Sequence, residues 1–391
     1  MMPTVGVNGR ATGLVPAVEI GDRHIPYLLD SGAGVLTAAQ ALDADRWLVV
    51  ADDDARLAPF TARVVQLLTH LAPVERITVP AGDAAKSLET VGSVCAQALA
   101  LGASRASCLV AVGGGSTCNI VGLCAALLFR GIRLVQVPTT LMAMSDVVLS
   151  LKQGVNFCGV KNGLGTYHAA EFVWADPEVL ATLPHTEIRA GQAEMIKNAL
   201  VLAPEQIPVL LELFRAGGGY RTDEFRSMIT MAISAKSRVL RRDATERRAA
   251  LVLEYGHTVG HALEVLTGGR LGHGFGVAFG MRVAARVAAQ QGLADAALVD
   301  LHDELIRSAG LPLLPPAEVL RAANRETLAA ALRRDNKRGY LRLDDRQVSM
   351  VLLSSPGAAV VTGSLPLTPV GIPAVVNAFA ETFAQTAGTP C

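Results

Sequence analysis

Four short apolar runs, at 46–51, 76–80, 107–112 and 131–137, punctuate the first third of the chain. Runs this short predict strands rather than helices, and the nearly unbroken apolar ones predict strands buried on both faces of a parallel sheet. Helical patterns alternate with them, at 58–71, from Leu88 onward, and from the end of the third run through Leu128. That alternation predicts an α/β domain whose ligands sit at the carboxyl ends of its strands. Two weaker signals, at 18–20 and 27–29 on either side of Gly21-Asp22, fit short additional strands. From Pro184 onward the period becomes helical, with stretches near 223–241, 246–267 and 274–292, before a last short strand at 349–353. We therefore expect two domains, an α/β domain over 1–180 and a mainly α-helical one over 181–391.

Composition narrows the function classes. With 391 residues, 51% of them hydrophobic, the chain can bury substantial cores, so disorder and fibrous structure are excluded. The 35 basic and 35 acidic residues cancel, which removes the electrostatic footprint that nucleic acid or an anionic membrane would require. The N-terminal stretch lacks the layout of a signal peptide, and no uninterrupted apolar run is long enough to span a bilayer, so a cytoplasmic protein with small-molecule or subunit partners is expected. The six cysteines, Cys95, Cys108, Cys118, Cys124, Cys158 and Cys391, show no C-x-x-C spacing and read as buried small hydrophobes.

Candidate chemistry falls at the ends of the predicted elements. The run at 107–112 enters Gly113-Gly114-Gly115-Ser116-Thr117 and then a helix, a strand–glycine–helix order in which free N–H groups can cradle a pyrophosphate. Asp52, Asp53 and Asp54 follow the first run and Thr139-Thr140 the fourth, so all would share one rim of the sheet; Asp53 is a candidate for a cofactor ribose, although helix capping suits at least two of the three aspartates. Only six of the basic residues are Lys, at 86, 152, 161, 197, 236 and 337, and each lies in or beside a motif-like stretch. A compact ammonium kept in an Arg-writing chain makes each a site candidate. Within the predicted 246–267 helix, Glu254, His257 and His261 stand at i, i+3 and i+7, one face with a carboxylate and two imidazoles, and His273 follows a glycine turn. Thr258 after His257 excludes the H-E-x-x-H protease motif.

Taken together, the glycine turn, Arg130-Gly131, Pro138-Thr139-Thr140, the polar series from Lys152 to Asn162, the segment from Ala190 to Lys197, the two-histidine helix and His273-Gly274 resemble the dehydroquinate-synthase-like sugar phosphate cyclases over roughly residues 45–355. The resemblance implies a Rossmann-like NAD-binding domain, a helical metal-binding domain, a cleft site between them, one divalent Zn or Co ion, and a homodimer. It implies metal ligands at Glu194, His257 and His273, and NAD contacts at Asp83, Lys86, Gly114, Gly115, Thr139 and Thr140, with Ser116 in the same turn. Lys152, Lys161, Asn162, Lys197, Lys236, His261 and Lys337 become substrate or phosphate groups, Asp146 and Lys161 are shared with the cofactor set, and Arg130 reaches across the dimer. Dehydroquinate synthases carry Asn, Asp and Arg where this chain has Glu254, Asn119 and Ala250. Glu254 adds a proton-transferring group, and the lost Arg removes a fork suited to a substrate carboxylate. These departures point to the branch that closes a carbocycle from glucose 6-phosphate at the start of 2-deoxystreptamine aminoglycoside biosynthesis. The branch acting on sedoheptulose 7-phosphate and dehydroquinate synthase itself remain alternatives within the family. Outside it stand an iron-type alcohol dehydrogenase and a silent metabolite-binding paralogue. Phe275, where dehydroquinate synthases carry an acidic residue, has no physical account.

Overall fold

The computed structural model describes residues 17–29 and 32–384, so the expectation for Cys391 lies outside the described residues. In chain order the first nine strands are β1 (Ala17–Ile20), β2 (Arg23–Leu28), β3 (Trp47–Asp52), β4 (Val74–Val79), β5 (Cys108–Gly113), β6 (Arg133–Pro138), β7 (Lys152–Phe157), β8 (Val160–Tyr167) and β9 (Phe172–Trp174). The helices that shape the molecule are α1 (Ala33–Gln40), α2 (Ala58–Thr69), α3 (Leu88–Ala100), α4 (Gly115–Leu127), α5 (Leu141–Ser145), α6 (His185–Leu202), α7 (Ile207–Leu213), α8 (Thr222–Leu240), α9 (His257–Leu266) and α10 (His273–Gln290).

Seven strands form one sheet in the order β1-β2-β9-β6-β5-β3-β4, parallel throughout except for the β1–β2 pair at its edge. Every residue of β5 is buried, as the unbroken apolar run predicts for a central parallel strand. Alternate side chains feed two cores. Leu48, Val50, Leu109 and Ala111 pack with Val91, Val94, Ile120 and Val121 of α3 and α4. Val49, Val110 and Val135 face the other way, into a core that continues through α2, α6, α8, α9 and α10. From β3 the chain first moves outward to β4, then returns past β3 to β5 and proceeds the opposite way to β6. The reversal opens a crevice between the carboxyl ends of β3 and β5, the ligand position of such sheets.

The polar series from 152 to 162 folds as a separate hairpin, β7–β8. Cys108, Cys118 and Cys124 are buried as expected, but Cys95 is only half-buried, and Cys158, at the hairpin tip between Phe157 and Val160, is exposed. No described helix is long and apolar enough to cross a membrane. The predicted 246–267 helix is two pieces. A 3-10 segment runs from Ala249 to Glu254, Tyr255 is extended, Gly256 takes a left-handed φ of 79°, and α9 starts at His257. Glu254 therefore does not share a helix face with His257 and His261. Residues three apart also align on a 3-10 turn, so their spacing could not reveal the break.

Candidate active site

A cleft of about 930 Å³ joins the carboxyl ends of β3, β5 and β6 to the N-termini of α9 and α10, with the β7–β8 hairpin along one wall. On the sheet side, β5 ends at Gly113, where an added Cβ would lie 2.6 Å from Asp52 Oδ2 and 2.7 Å from Thr117 Cβ. Only glycine lets the strand turn this tightly into α4. Gly114 caps α4 without a side-chain hydrogen bond, so the N-terminus of a 13-residue helix faces the cleft uncovered by its own cap. Gly115, Ser116, Thr139 and Thr140 line the same region, and Thr140 Oγ1 caps α5 by accepting from Ala143 N–H at 3.1 Å. Burial raises the Asp52 carboxyl above its ordinary value, although Gly114 N–H donates to it at 3.4 Å.

Of the three aspartates, where capping was expected of at least two, only Asp54 caps a helix. Asp54 caps the 3-10 turn at Ala55–Leu57 and pairs with Arg56. Asp53 accepts from Ala81 N–H at 2.8 Å and does not line the cleft, where Asp52 and Asp54 stand instead. The hairpin is latched to the loop after β4. Asn156 N–H donates to Lys86 O at 2.8 Å, Asn156 Nδ2 donates to Asp83 Oδ2 at 3.0 Å, and Lys86 Nζ donates to Asn162 Oδ1. Burial pushes the Lys86 ammonium down to about 8 against the pull of Asp83.

On the helical side, close backbone contacts bring three elements together. A Cβ on Gly280 of α10 would fall 1.9 Å from Gly256 O, and one on Gly274 would fall 2.2 Å from Ala190 O of α6. Those contacts set His257 and His273, each the first residue of its helix, against Glu194 of α6. Glu194 Oε1 lies 3.3 Å from His273 Nε2 and 3.7 Å from His257 Nε2. His257 Nδ1 is 3.0 Å from Tyr255 O, which can only accept, so Nδ1 carries the proton and Nε2 keeps its lone pair. Burial alone would raise the Glu194 carboxyl, but Lys197 and His273 hold it well below the usual range. Neither Glu194 oxygen receives a well-aligned hydrogen bond although both are buried. One carboxylate and two imidazoles converging in this way are the three-ligand set of a catalytic Zn-type ion, so the residues fit a divalent metal.

His261 stacks on His273 at 5.9 Å, and burial with His257 nearby pushes its imidazole down to about 3, keeping it neutral. Glu254 reaches the same cleft from the 3-10 segment. Burial would raise its carboxyl, but His257, Lys337 and Lys152 hold it well below the usual range, and its Oε2 is buried without a hydrogen-bond partner. Lys152, Lys161, Asn162, Lys197 and Lys236 all line the cleft. Asp146 lines it too and anchors Lys236 Nζ at 3.0 Å, with Lys197 at 3.8 Å. Lys337 lies behind the lining, 1% exposed, paired with Asp335 at 2.8 Å and 3.9 Å from Glu254. Arg130 is outside the cleft, exposed after α4 with a left-handed φ of 67°.

Three polar residues escaped the sequence-based site. Asn119 Nδ2 donates to Gly115 O at 2.9 Å and its Oδ1 accepts from Gly154 N–H at 3.2 Å, tying α4 to the hairpin. Glu246 is buried and pairs with Lys152 at 2.8 Å; it stands in the loop before the 3-10 segment, where a helix start was expected. Glu264, 1% exposed, accepts from His273 Nδ1 at 2.9 Å. Its place two helical turns after His257 was the available signal, because a carboxylate on a buried helix face needs a partner.

Residues 76–190 match the model of the 3-dehydroquinate synthase N-terminal region and residues 191–338 that of its C-terminal region. The chain belongs to the 3-dehydroquinate synthase-like family. Among its cyclase relatives, a 2-deoxy-scyllo-inosose synthase from Streptomyces fradiae is 43% identical over 94% of this chain and 85% of its own. The crystal structure of a 2-deoxy-scyllo-inosose synthase complexed with carbaglucose-6-phosphate, NAD+ and Co2+ matches with a TM-score of 0.84 at 33% identity, over 94% of this chain and 99% of its own. A 2-epi-5-epi-valiolone synthase from Streptomyces hygroscopicus subsp. jinggangensis 5008, with NAD+ and Zn2+ bound, is more distant at 26% identity and a TM-score of 0.76, over 96% of this chain and all of its own. The expected family, architecture and cofactor class thus agree with these relatives.

Proposed function

We propose that this cyclase converts glucose 6-phosphate to 2-deoxy-scyllo-inosose with release of phosphate. The observation that carries this reading is the Glu254 carboxylate, which faces the cleft beside His257 with one oxygen buried and receiving no hydrogen bond, where dehydroquinate synthases carry an amide. A substrate without its own carboxylate suits a site with Ala250 in place of Arg. The likeness to relatives named for this reaction, and to a structure holding carbaglucose-6-phosphate, supports it further.

In this reading Glu194, His257 and His273 hold a Zn or Co ion. The Gly113–Ser116 turn, Asp83, Lys86, Thr139 and Thr140 hold NAD. When bound, NAD supplies reversible hydride transfer at C4 of the sugar and the metal supplies Lewis-acid polarisation of the C4 oxygen. The chain's own groups do the rest. Lys152, Lys161, Lys197 and Lys236 offer ammonium groups for the phosphate, Asn162 orients it, and Asp146 fixes two of those lysines. Glu254, kept ionised by its cationic neighbours, accepts and returns a proton during elimination and ring closure, and neutral His261 stands beside it. Lys337 steadies the Glu254 charge from behind.

The same reading places the enzyme in the cytoplasm, as a homodimer serving aminoglycoside assembly. Exposed Leu99 and Leu127 flank an apolar groove that Phe129 also lines, beside Arg130, which suits cover by a second copy. Purified protein with NAD and Co is to be incubated separately with glucose 6-phosphate, sedoheptulose 7-phosphate and the dehydroquinate precursor. Phosphate release and a new carbocycle from glucose 6-phosphate are expected. Release from sedoheptulose 7-phosphate alone would overturn the substrate, and net NADH accumulation would overturn the cyclase reading.

A further inference from the structure

Glu264 takes no part in the chemistry proposed above, yet it is buried against the centre of the site. A carboxylate 1% exposed must have its charge matched, and Glu264 uses both oxygens: Oε1 accepts from His273 Nδ1 at 2.9 Å, and Oε2 pairs with Lys161 Nζ of β8. Two trios of ligating groups therefore meet at His273. One joins Glu194 and His257 to it; the other joins His261 and Glu264. Both nitrogens of the His273 ring are engaged, Nε2 toward Glu194 at 3.3 Å and Nδ1 toward Glu264.

We infer that Glu264 is a positioning residue for the metal site: its carboxylate accepts the His273 Nδ1–H, which fixes the ring plane and leaves the Nε2 lone pair to the ion between Glu194 and His257. The inference rests on the metal reading given above. It also explains an asymmetry between the two histidines. His257 is oriented by rigid main chain, through Tyr255 O at 3.0 Å, whereas His273 is oriented by a side chain. That side chain is held in turn by Lys161, which also reaches Asp83 at 3.1 Å on the nucleotide half of the cleft. Glu264 thus links a metal ligand to the hairpin latch. As a ligand through either oxygen, Glu264 would have to loosen its hold on the partner that oxygen now has, His273 at Oε1 or Lys161 at Oε2.

The full-length protein loaded with Co2+ provides the test, read by chelator competition and by the visible cobalt spectrum rather than by turnover. His257→Ala should abolish stoichiometric cobalt binding; wild-type affinity in that variant would remove the metal reading and this inference with it. With that control in place, Glu264→Ala should weaken cobalt binding about 10–100-fold and shift the visible band. Glu264→Gln, whose amide oxygen can still accept from Nδ1–H, should recover most of the affinity, and Lys161→Met should cost less than Glu264→Ala. Unchanged cobalt affinity in Glu264→Ala would overturn the positioning role alone. Loss as complete as in His257→Ala, unrelieved in Glu264→Gln, would make Glu264 a ligand and overturn it equally. Where Glu264→Ala does not fold, Glu264→Gln decides, since a near-wild-type spectrum and most of the affinity are expected only if the hydrogen bond rather than the charge orients the ring, and complete loss contradicts the inference.

Discussion

At the carboxyl ends of β3 and β5 the cleft is built from main chain, whereas at the N-termini of α9 and α10 it is built from buried charge. The sheet side depends on what is missing at Gly113, a Cβ that would strike Asp52 and Thr117, and on the uncapped start of α4. The helical side depends on Glu194, His257, His273 and Glu264, fully or largely buried and matched to one another and to Lys197 and Lys161. A main-chain site tolerates many side chains around it but no added volume. A charge site tolerates small changes of volume but not the loss of one partner, because a lone buried charge costs several kcal/mol.

The largest effect should separate the two halves outright. Glu194→Gln removes the anionic donor and should abolish stoichiometric metal binding and lower turnover by more than about 10³-fold, with NAD affinity measured by fluorescence titration nearly unchanged. Parallel loss of NAD binding would show that the halves are not independent. Next, Glu254→Gln keeps shape and hydrogen bonding but no proton-accepting carboxylate, and should lower turnover about 10²–10⁴-fold with metal content and NAD affinity intact. Full activity would remove Glu254 from the chemistry. On the main-chain side, Gly113→Ala should weaken NAD about tenfold and cost roughly 1–3 kcal/mol of stability through overpacking, and its metal content should be wild-type.

The smallest effect concerns the support behind the charged half. His302 is buried between Leu298 O, to which its Nδ1 donates at 2.6 Å, and Tyr255 Oη, which donates to its Nε2 at 2.9 Å. Burial pushes this imidazole down to about 4, against about 6.5 in an unfolded chain. Between those values the unfolded chain binds a proton that the native one excludes, so stability falls as pH drops through this window. The contribution is about 1 kcal/mol from pH 7 to 5.5, growing to about 3 near pH 4. Urea midpoints of His302→Gln should lose that part of the acid sensitivity; an unchanged pH slope would mean the ring is already charged.

Legibility follows the same division. The β5–glycine–α4 unit was readable because its signals are contiguous: an unbroken apolar strand, three glycines and an apolar helix. That Glu194, His257 and His273 would converge was expected only through resemblance, since Glu194 lies more than sixty residues from His257 and nothing in spacing joins them. The supposed single face of Glu254, His257 and His261 failed at Gly256, whose left-handed φ of 79° ends one element and starts another. Asp53 is a different case, because three adjacent aspartates stand at one strand end and only packing decides that Asp53 turns to Ala81 while Asp52 and Asp54 line the cleft.

The sequence by itself determined the parallel sheet, the helical second half and the glycine turn, because hydrophobic period and local turn chemistry act over a few residues, and its set of motifs carried the family resemblance. Tertiary structure alone decided that Glu254 enters the cleft from a 3-10 segment, that Lys337 stands behind it, and that Glu264 rather than solvent meets His273. Those outcomes are contacts between separate elements, like the close backbone approaches at Gly274 and Gly280, and such contacts leave no period in the chain.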